Sequence, residues 1–247
     1  MNNLTLRSAP GVQLFSFRDE MENDLEGTLK RLRKMGVTKV EACFGGADNE
    51  LIQHLKAMDF EVPSVHLALG SRVEMDKNYT MALDLGADYI VTGSSPHGAE
   101  DFKDIEAIKK LAKLYSREAQ EAADRGLRLS YHNHDWEMKI IEGRYAFEYL
   151  LEECEGSLAW EWDVYWSLIA GADLHEVQKI LEPICSLLHL KDGNLIKGEK
   201  MCALGQGNMP FNELADFMAK CEHVFIELDE YEGCLFKLVQ ESMDFLD

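Results

Sequence analysis

Basic residues are scarce in this chain: 25 Lys and Arg stand against 45 Asp and Glu, a formal charge of −20. A surface of that sign repels phosphate backbones and anionic lipid, so neither nucleic acid nor a membrane is expected as a partner. It does not repel a neutral sugar, and inward-facing carboxylates can still attract a divalent cation. Paired cysteines are also lacking. Cys43, Cys154, Cys185, Cys202, Cys221 and Cys234 are scattered without a Cys-x-x-Cys spacing, and read as reduced thiols of a cytoplasmic protein. No apolar run approaches the ~20 residues of a membrane span. The opening Met1-Asn-Asn-Leu-Thr-Leu-Arg7 lacks the apolar core of a signal peptide. No tract rich in Pro, Gly or Ser interrupts the sequence, so residues 1–247 are expected to form one domain. No Gly-x-Gly-x-x-Gly follows the first β-prone run and Walker A spacing is absent, which argues against a doubly wound nucleotide-binding sheet.

What is present is alternation. With 46% hydrophobic residues the chain can bury a sizeable core. Eight β-prone runs occur, at Gly11–Phe17, Thr38–Phe44, Val62–Leu67, Asp88–Thr92, Leu127–Asn133, Leu158–Asp163, Ile184–Leu190 and Val224–Leu228. Between them apolar residues recur at helical spacing, as in Leu25, Leu29, Leu32 and Met35, or Ile105, Ile108, Ala112, Tyr115 and Ala119. Gly36, Gly86 and Gly126 each separate such a helix from the next strand, the position where a left-handed residue closes a helix. About eight helices alternating with eight strands predict an α/β fold, a single (β/α)8 TIM barrel.

In such a barrel function lies at the C-terminal ends of the strands. The ends here are polar: Gln13 through Arg18, Glu41, His66, and Thr92-Gly-Ser-Ser95 for the first four runs. The fifth to eighth runs end in His132-Asn-His134, Asp163 with Tyr165 and Trp166, His189 with Lys191 and Asp192, and Glu227 with Asp229. A His/Asp/His/Glu set suits Mn²⁺, Zn²⁺, Co²⁺ or Fe²⁺ better than an all-oxygen Mg²⁺ cage. Each residue also has a plain structural reading. A histidine such as His66 on an apolar strand is more often a satisfied core residue than a ligand. Glu41 could be a buried partner of Arg18, the tryptophans ordinary barrel packing, and Lys191-Asp192 a solvated ion pair. The convergence of independent strand ends on one mouth favours function.

The motifs together resemble the sugar phosphate isomerase/epimerase family, whose xylose isomerase-like TIM barrel is shared by tagatose epimerases, inosose dehydratases and endonuclease IV. The resemblance rests on Gly11-Val-Gln-Leu-Phe-Ser-Phe-Arg-Asp19, Gly36-Val-Thr-Lys-Val-Glu41, Tyr131-His-Asn-His-Asp-Trp-Glu137 and Trp162-Asp-Val-Tyr-Trp166 with Ala170-Gly-Ala-Asp173. It continues through His189-Leu-Lys-Asp192, Leu204-Gly-Gln-Gly207 and Ile226-Glu-Leu-Asp229, nearly the whole chain. Tyr131 to Glu137 resembles the Tyr-His-Asn-His-x-x-Glu element of one subgroup. The family holds its metal with Glu, Asp, His and Glu at the ends of strands five to eight. Carried over by position, Asp163, His189 and Glu227 match, whereas Ser130 stands where the first glutamate is expected. His132, on the same strand face by the period of two, is the expected replacement, with His134 and Glu137 behind it.

The resemblance implies a divalent-metal-dependent isomerase or epimerase of a small sugar, keto-sugar or cyclitol, acting by proton abstraction α to a carbonyl through an enediolate. Glu227, His134 and Lys191 are the expected catalytic residues, and Mn²⁺ is the first metal expected. Glu41, His66, Asn133, Glu137, Trp166 and Asp192 are expected to bind substrate. A dehydratase or β-eliminating lyase on a keto-sugar or inosose uses the same groups, because replacing a glutamate by histidines separates acid from base. A non-catalytic carbohydrate-binding barrel is the third reading, supported by the missing glutamate. A nuclease of this fold is disfavoured by the charge and by the lack of further metal ligands. Pairing through exposed helices, giving a homo-oligomer, is expected by analogy only.

Overall fold

The computed structural model describes residues 4, 6–43, 49–70, 72–93 and 95–247. Phe44, at the end of the second β-prone run, and Ser94, in the polar end of the fourth, lie outside the described residues. The strands are β1 (Gly11–Gln13), β2 (Val40–Cys43), β3 (Ser64–His66), β4 (Tyr89–Thr92) and β5 (Arg128–His132), then β6 (Ile140–Ile141), β7 (Arg144–Tyr145), β8 (Ala159–Asp163), β9 (Cys185–Leu190) and β10 (His223–Ile226). Eight of them form a closed parallel barrel in the order β1-β2-β3-β4-β5-β8-β9-β10, with β10 returning to β1. The expected barrel is present, with every expected run contributing one strand.

Two local differences have physical causes. The first run is a strand only to Gln13, whose side-chain carbonyl accepts from Phe15 N at 3.0 Å and turns the chain into a 3-10 helix at Leu14–Phe17. After β5 the chain adds an antiparallel hairpin, β6 with β7, that apolar periodicity does not signal. Its two-residue turn places Glu142 at φ 49° and Gly143 at φ 84°, the left-handed pair that suits the twist of a tight hairpin.

The helices are α1 (Arg18–Lys34), α2 (Asn49–Ala57), α3 (Arg72–Leu85), α4 (Ile105–Ala123), α5 (Ala146–Glu153), α6 (Val164–Ile169), α7 (Leu174–Leu181), α8 (Phe211–Met218) and α9 (Leu235–Leu246). Asp104 and Asp173 cap α4 and α7 by accepting from Ala107 N and Glu176 N. Helix α4 buries Ile108, Ala112, Tyr115 and Ala119 of the stripe read from its spacing and adds Leu111, while Ile105 at its first turn is only partly buried. Full burial of one such leucine or isoleucine contributes about 1.5–3 kcal/mol. Gly36, Gly86 and Gly126 all have positive φ, so the three helix stops form as expected. Among the described residues no helix is long and apolar enough to cross a membrane.

The barrel interior is filled from below. Tyr89, Val91, Leu187 and Phe225 make an apolar cluster of their own. A Cβ on Gly11 would stand 2.6 Å from the Phe225 ring, so the first strand needs glycine there. The next inward positions toward the C-terminal ends are polar, and they build the site.

Candidate active site and metal centre

The period of two along each strand decides which polar residues meet. On β5 Ser130 and His132 share the inward face, and on β8 Glu161 and Asp163 do. His189 on β9 is followed on that face by Lys191, and Phe225 on β10 by Glu227. The register sets His132 beside Glu161 and Asp163 beside His189. Glu41 from β2 and His66 from β3 enter from the opposite wall.

Two overlapping clusters result. In the inner one, His66 Nε2, His132 Nδ1 and His189 Nε2 lie 2.6, 2.9 and 3.2 Å from a single atom, Glu161 Oε2. Glu41 Oε2 joins them, 2.6 Å from His189 Nε2 and 3.1 Å from His66 Nε2, and accepts from Gln13 Nε2 at 2.6 Å. In the outer one, His189 Nδ1 meets Glu227 Oε2 at 2.6 Å and His132 Nε2 stands 3.7 Å from Asp163 Oδ2. The Lys191 ammonium sits among three carboxylates, 2.8 Å from Asp163, 2.9 Å from Glu227 and 2.6 Å from Asp229. Asp163 Oδ1 accepts from Trp166 N at 2.9 Å and so caps α6.

Burial makes these charges depend on each other. Burial alone would lower Lys191, but Asp163, Asp229 and Glu227 more than offset it and hold the ammonium charged well above its ordinary range. Burial also opposes His66, which Glu41 and Glu161 nevertheless raise to about 10. Glu161 is held down at about 2 by His189, His66 and a hydrogen bond from His132, against burial and the nearby Glu41 charge. Burial lowers His132 well below the usual imidazole range. His134 falls to about 4, through burial and the Lys191 charge, and is a neutral imidazole at pH 7.

Among the described residues two sets of four could hold one ion: His66, His132, Glu161 and His189, or His132, Asp163, His189 and Glu227. The second is the set expected from the sequence. Mixed imidazole and carboxylate donors fit a borderline divalent ion. Glu41 Oε1 and Glu161 Oε1 are buried without a hydrogen-bond partner, a costly state that a cation would relieve.

A cavity of about 260 Å³ opens above the clusters, lined by His66, His132, His134, Lys191, Glu227 and Asp229 among others. It therefore gathers the expected catalytic residues and one expected substrate residue, His66. Three other expected substrate contacts are engaged elsewhere. Asn133 is spent on Asp163 and Ser167, and accepts from Trp160 Nε1 and Asp163 N. Glu137 accepts from Tyr131 Oη at 2.5 Å and His134 N at 2.8 Å. Asp192 accepts from the backbone of Gly193, Gly205, Gly207 and Met209, organising the loop before α8. Trp166 donates from Nε1 to Asp229, and its ring centroid is 5.8 Å from Lys191 Nζ. Glu41 does not pair with Arg18, which instead donates to Phe15 O and Asp229 O. Glu161 is absent from the expected residues. Its signal was available, a carboxylate two positions before Asp163 and on the same face of a buried strand.

No protein-family model matches the chain, and neither does any curated protein. Solved structures do. A sugar phosphate isomerase/epimerase of Parabacteroides distasonis aligns with a TM-score of 0.76 at 21% identity, covering 98% of this chain and 94% of that one. The probable 3-DHS dehydratase AsbF of Bacillus anthracis, involved in petrobactin synthesis, aligns at 0.74 and 14% identity, covering 97% and 98%. An IolI protein with a bound zinc atom aligns at 0.68 and 12% identity, covering 96% of each. At these identities the shared property is the architecture: the fold is that of the xylose isomerase-like TIM barrels.

Proposed function

We propose that the protein is a divalent-metal-dependent isomerase or epimerase of a small sugar, keto-sugar or cyclitol, acting by proton abstraction α to a carbonyl. The observation that carries this reading is the pairing of the Lys191 ammonium with the Glu227 carboxylate, 2.9 Å apart, on the wall of a small cavity also lined by three histidines. A divalent ion held with the help of His132 and His189, which belong to both ligand sets, would polarise a substrate carbonyl. Glu227 is the base that takes the α-proton. Lys191, kept charged by its three carboxylates, lines the same cavity, and its charge would stabilise the negative charge that develops on the substrate oxygen. Return of the proton to the neighbouring carbon gives the isomer, and its return to the other face of the same carbon gives the epimer.

A dehydratase or β-eliminating lyase is the second reading. It is favoured by an ammonium, Lys191, and a neutral imidazole, His134, lining one cavity from different elements. A leaving oxygen needs an acid distinct from the base, and Lys191 is that acid. The test is incubation with a panel of keto-sugars and inososes in D₂O, followed by NMR. Deuterium at the α-carbon with conversion to an isomer supports the first reading, and an enone with loss of hydroxyl supports the second. Neither exchange nor conversion across the panel, with metal supplied, would sink both.

A further inference from the structure

We propose that the divalent ion binds in the inner set, His66, His132, Glu161 and His189, and that Lys191 is a resident cation filling the outer Asp163–Glu227 pair. This rests on the metal-dependent reading above and goes beyond it by moving the ion one layer deeper than the position-matched ligands. The resemblance expects a glutamate on the fifth strand, where Ser130 stands. Glu161, from the adjacent strand, brings a carboxylate to His132 instead.

Geometry admits the inner set. A tetrahedral ion with bonds near 2.1 Å needs donor atoms about 3.4 Å apart. The three histidine nitrogens stand 2.6, 2.9 and 3.2 Å from Glu161 Oε2, so small side-chain retreats open the space. Glu161 and Glu41 each keep one buried oxygen without a hydrogen-bond partner, and the outer set's Asp163 Oδ2, which also accepts no hydrogen bond, is paired with the Lys191 ammonium at 2.8 Å. His189 offers Nε2 inward while Nδ1 is held by Glu227 Oε2 at 2.6 Å. Metal-bound histidines characteristically give their second nitrogen to a carboxylate, which orients the ring. Glu227 thus serves the inner site as an orienting partner while it lines the cavity.

The outer pair already holds a cation. An ammonium has three protons, and Lys191 has a carboxylate oxygen within 2.9 Å for each of them. The Trp166 indole donates to one of these, Asp229, at 3.1 Å and fixes it in place. A divalent ion between Asp163 and Glu227 would have to expel a buried ammonium or sit against it.

The wild-type protein, stripped of metal and reloaded with one equivalent of Mn²⁺, tests this by pulsed electron paramagnetic resonance, which counts directly bound nitrogens. Three imidazole nitrogens are expected, since the inner set has three histidines and the outer set two. Two would overturn the proposal while leaving the metal-dependent reading intact. Affinity for Co²⁺ in the variants gives the same decision independently. Glu161→Gln and His66→Gln should each weaken binding by more than 100-fold, and Asp163→Asn by less than about tenfold. The reverse order overturns the proposal. A folded wild type that takes up no divalent ion overturns both the proposal and the reading beneath it.

Discussion

Asp192 is where sequence and structure make opposite forecasts for one substitution, Asp192→Asn. Its carboxylate is fully buried and accepts from Gly193 N at 2.8 Å and Met209 N at 3.1 Å through one oxygen. The other oxygen accepts from Gly205 N at 2.8 Å and Gly207 N at 2.9 Å. Whichever way an asparagine amide is turned, its NH₂ faces two backbone donors, so two charge-assisted bonds are lost and the remaining two weaken. At about 1.5–3 kcal/mol for each bond to a charged acceptor, and with some relaxation of the loop, the expected loss is about 4 kcal/mol. For a chain of this length that lowers the melting temperature by about 10 °C. Urea unfolding and thermal melting by circular dichroism read the loss directly. Gly207→Ala should act in the same direction, because its Cβ would lie 2.3 Å from Asp192 Oδ1 and 2.5 Å from Gly193 N. A variant with stability within about 0.5 kcal/mol of wild type but a raised KM would refute this reasoning. It would return Asp192 to the substrate.

Glu227→Gln keeps the size of the side chain and removes the base. We expect kcat to fall by about 10²–10⁴, with solvent deuterium exchange at the α-carbon falling in parallel; unchanged exchange would assign the proton transfer elsewhere. Burial raises Glu137 to about 8 despite its hydrogen bond from Tyr131. The native state therefore holds a proton that the unfolded chain releases near 4.5, and this group's stabilisation is lost as pH rises from there toward 8. Glu137→Gln should remove a slope approaching about 1.4 kcal/mol per pH unit, and equal slopes for both proteins between pH 5.5 and 7.5 would count against it. Gly11→Ala forces a methyl to 2.6 Å from the Phe225 ring, and a loss of about 1–3 kcal/mol is expected by denaturation.

The sequence by itself determined the order of the elements. Alternating apolar periods and glycines at three helix ends carry the (β/α)8 reading, because both are local properties of the chain. Polar strand ends likewise marked the mouth of the barrel and brought His132, Asp163, His189 and Glu227 into one expected set. The hairpin after β5 was illegible because two-residue strands are too short to show a period. Only the tertiary structure decided what each polar group faces. His66 meets Glu161 across 95 residues and His189 meets Glu41 across 148, separations over which no sequence pattern reports contact. Closure of the barrel made Glu161 part of the centre, surrounded Lys191 with carboxylates and turned Asp192 toward four backbone amides. In a buried site each charge must find its partners within a few ångströms, and that matching is settled by strand register and closure rather than by the residues' order.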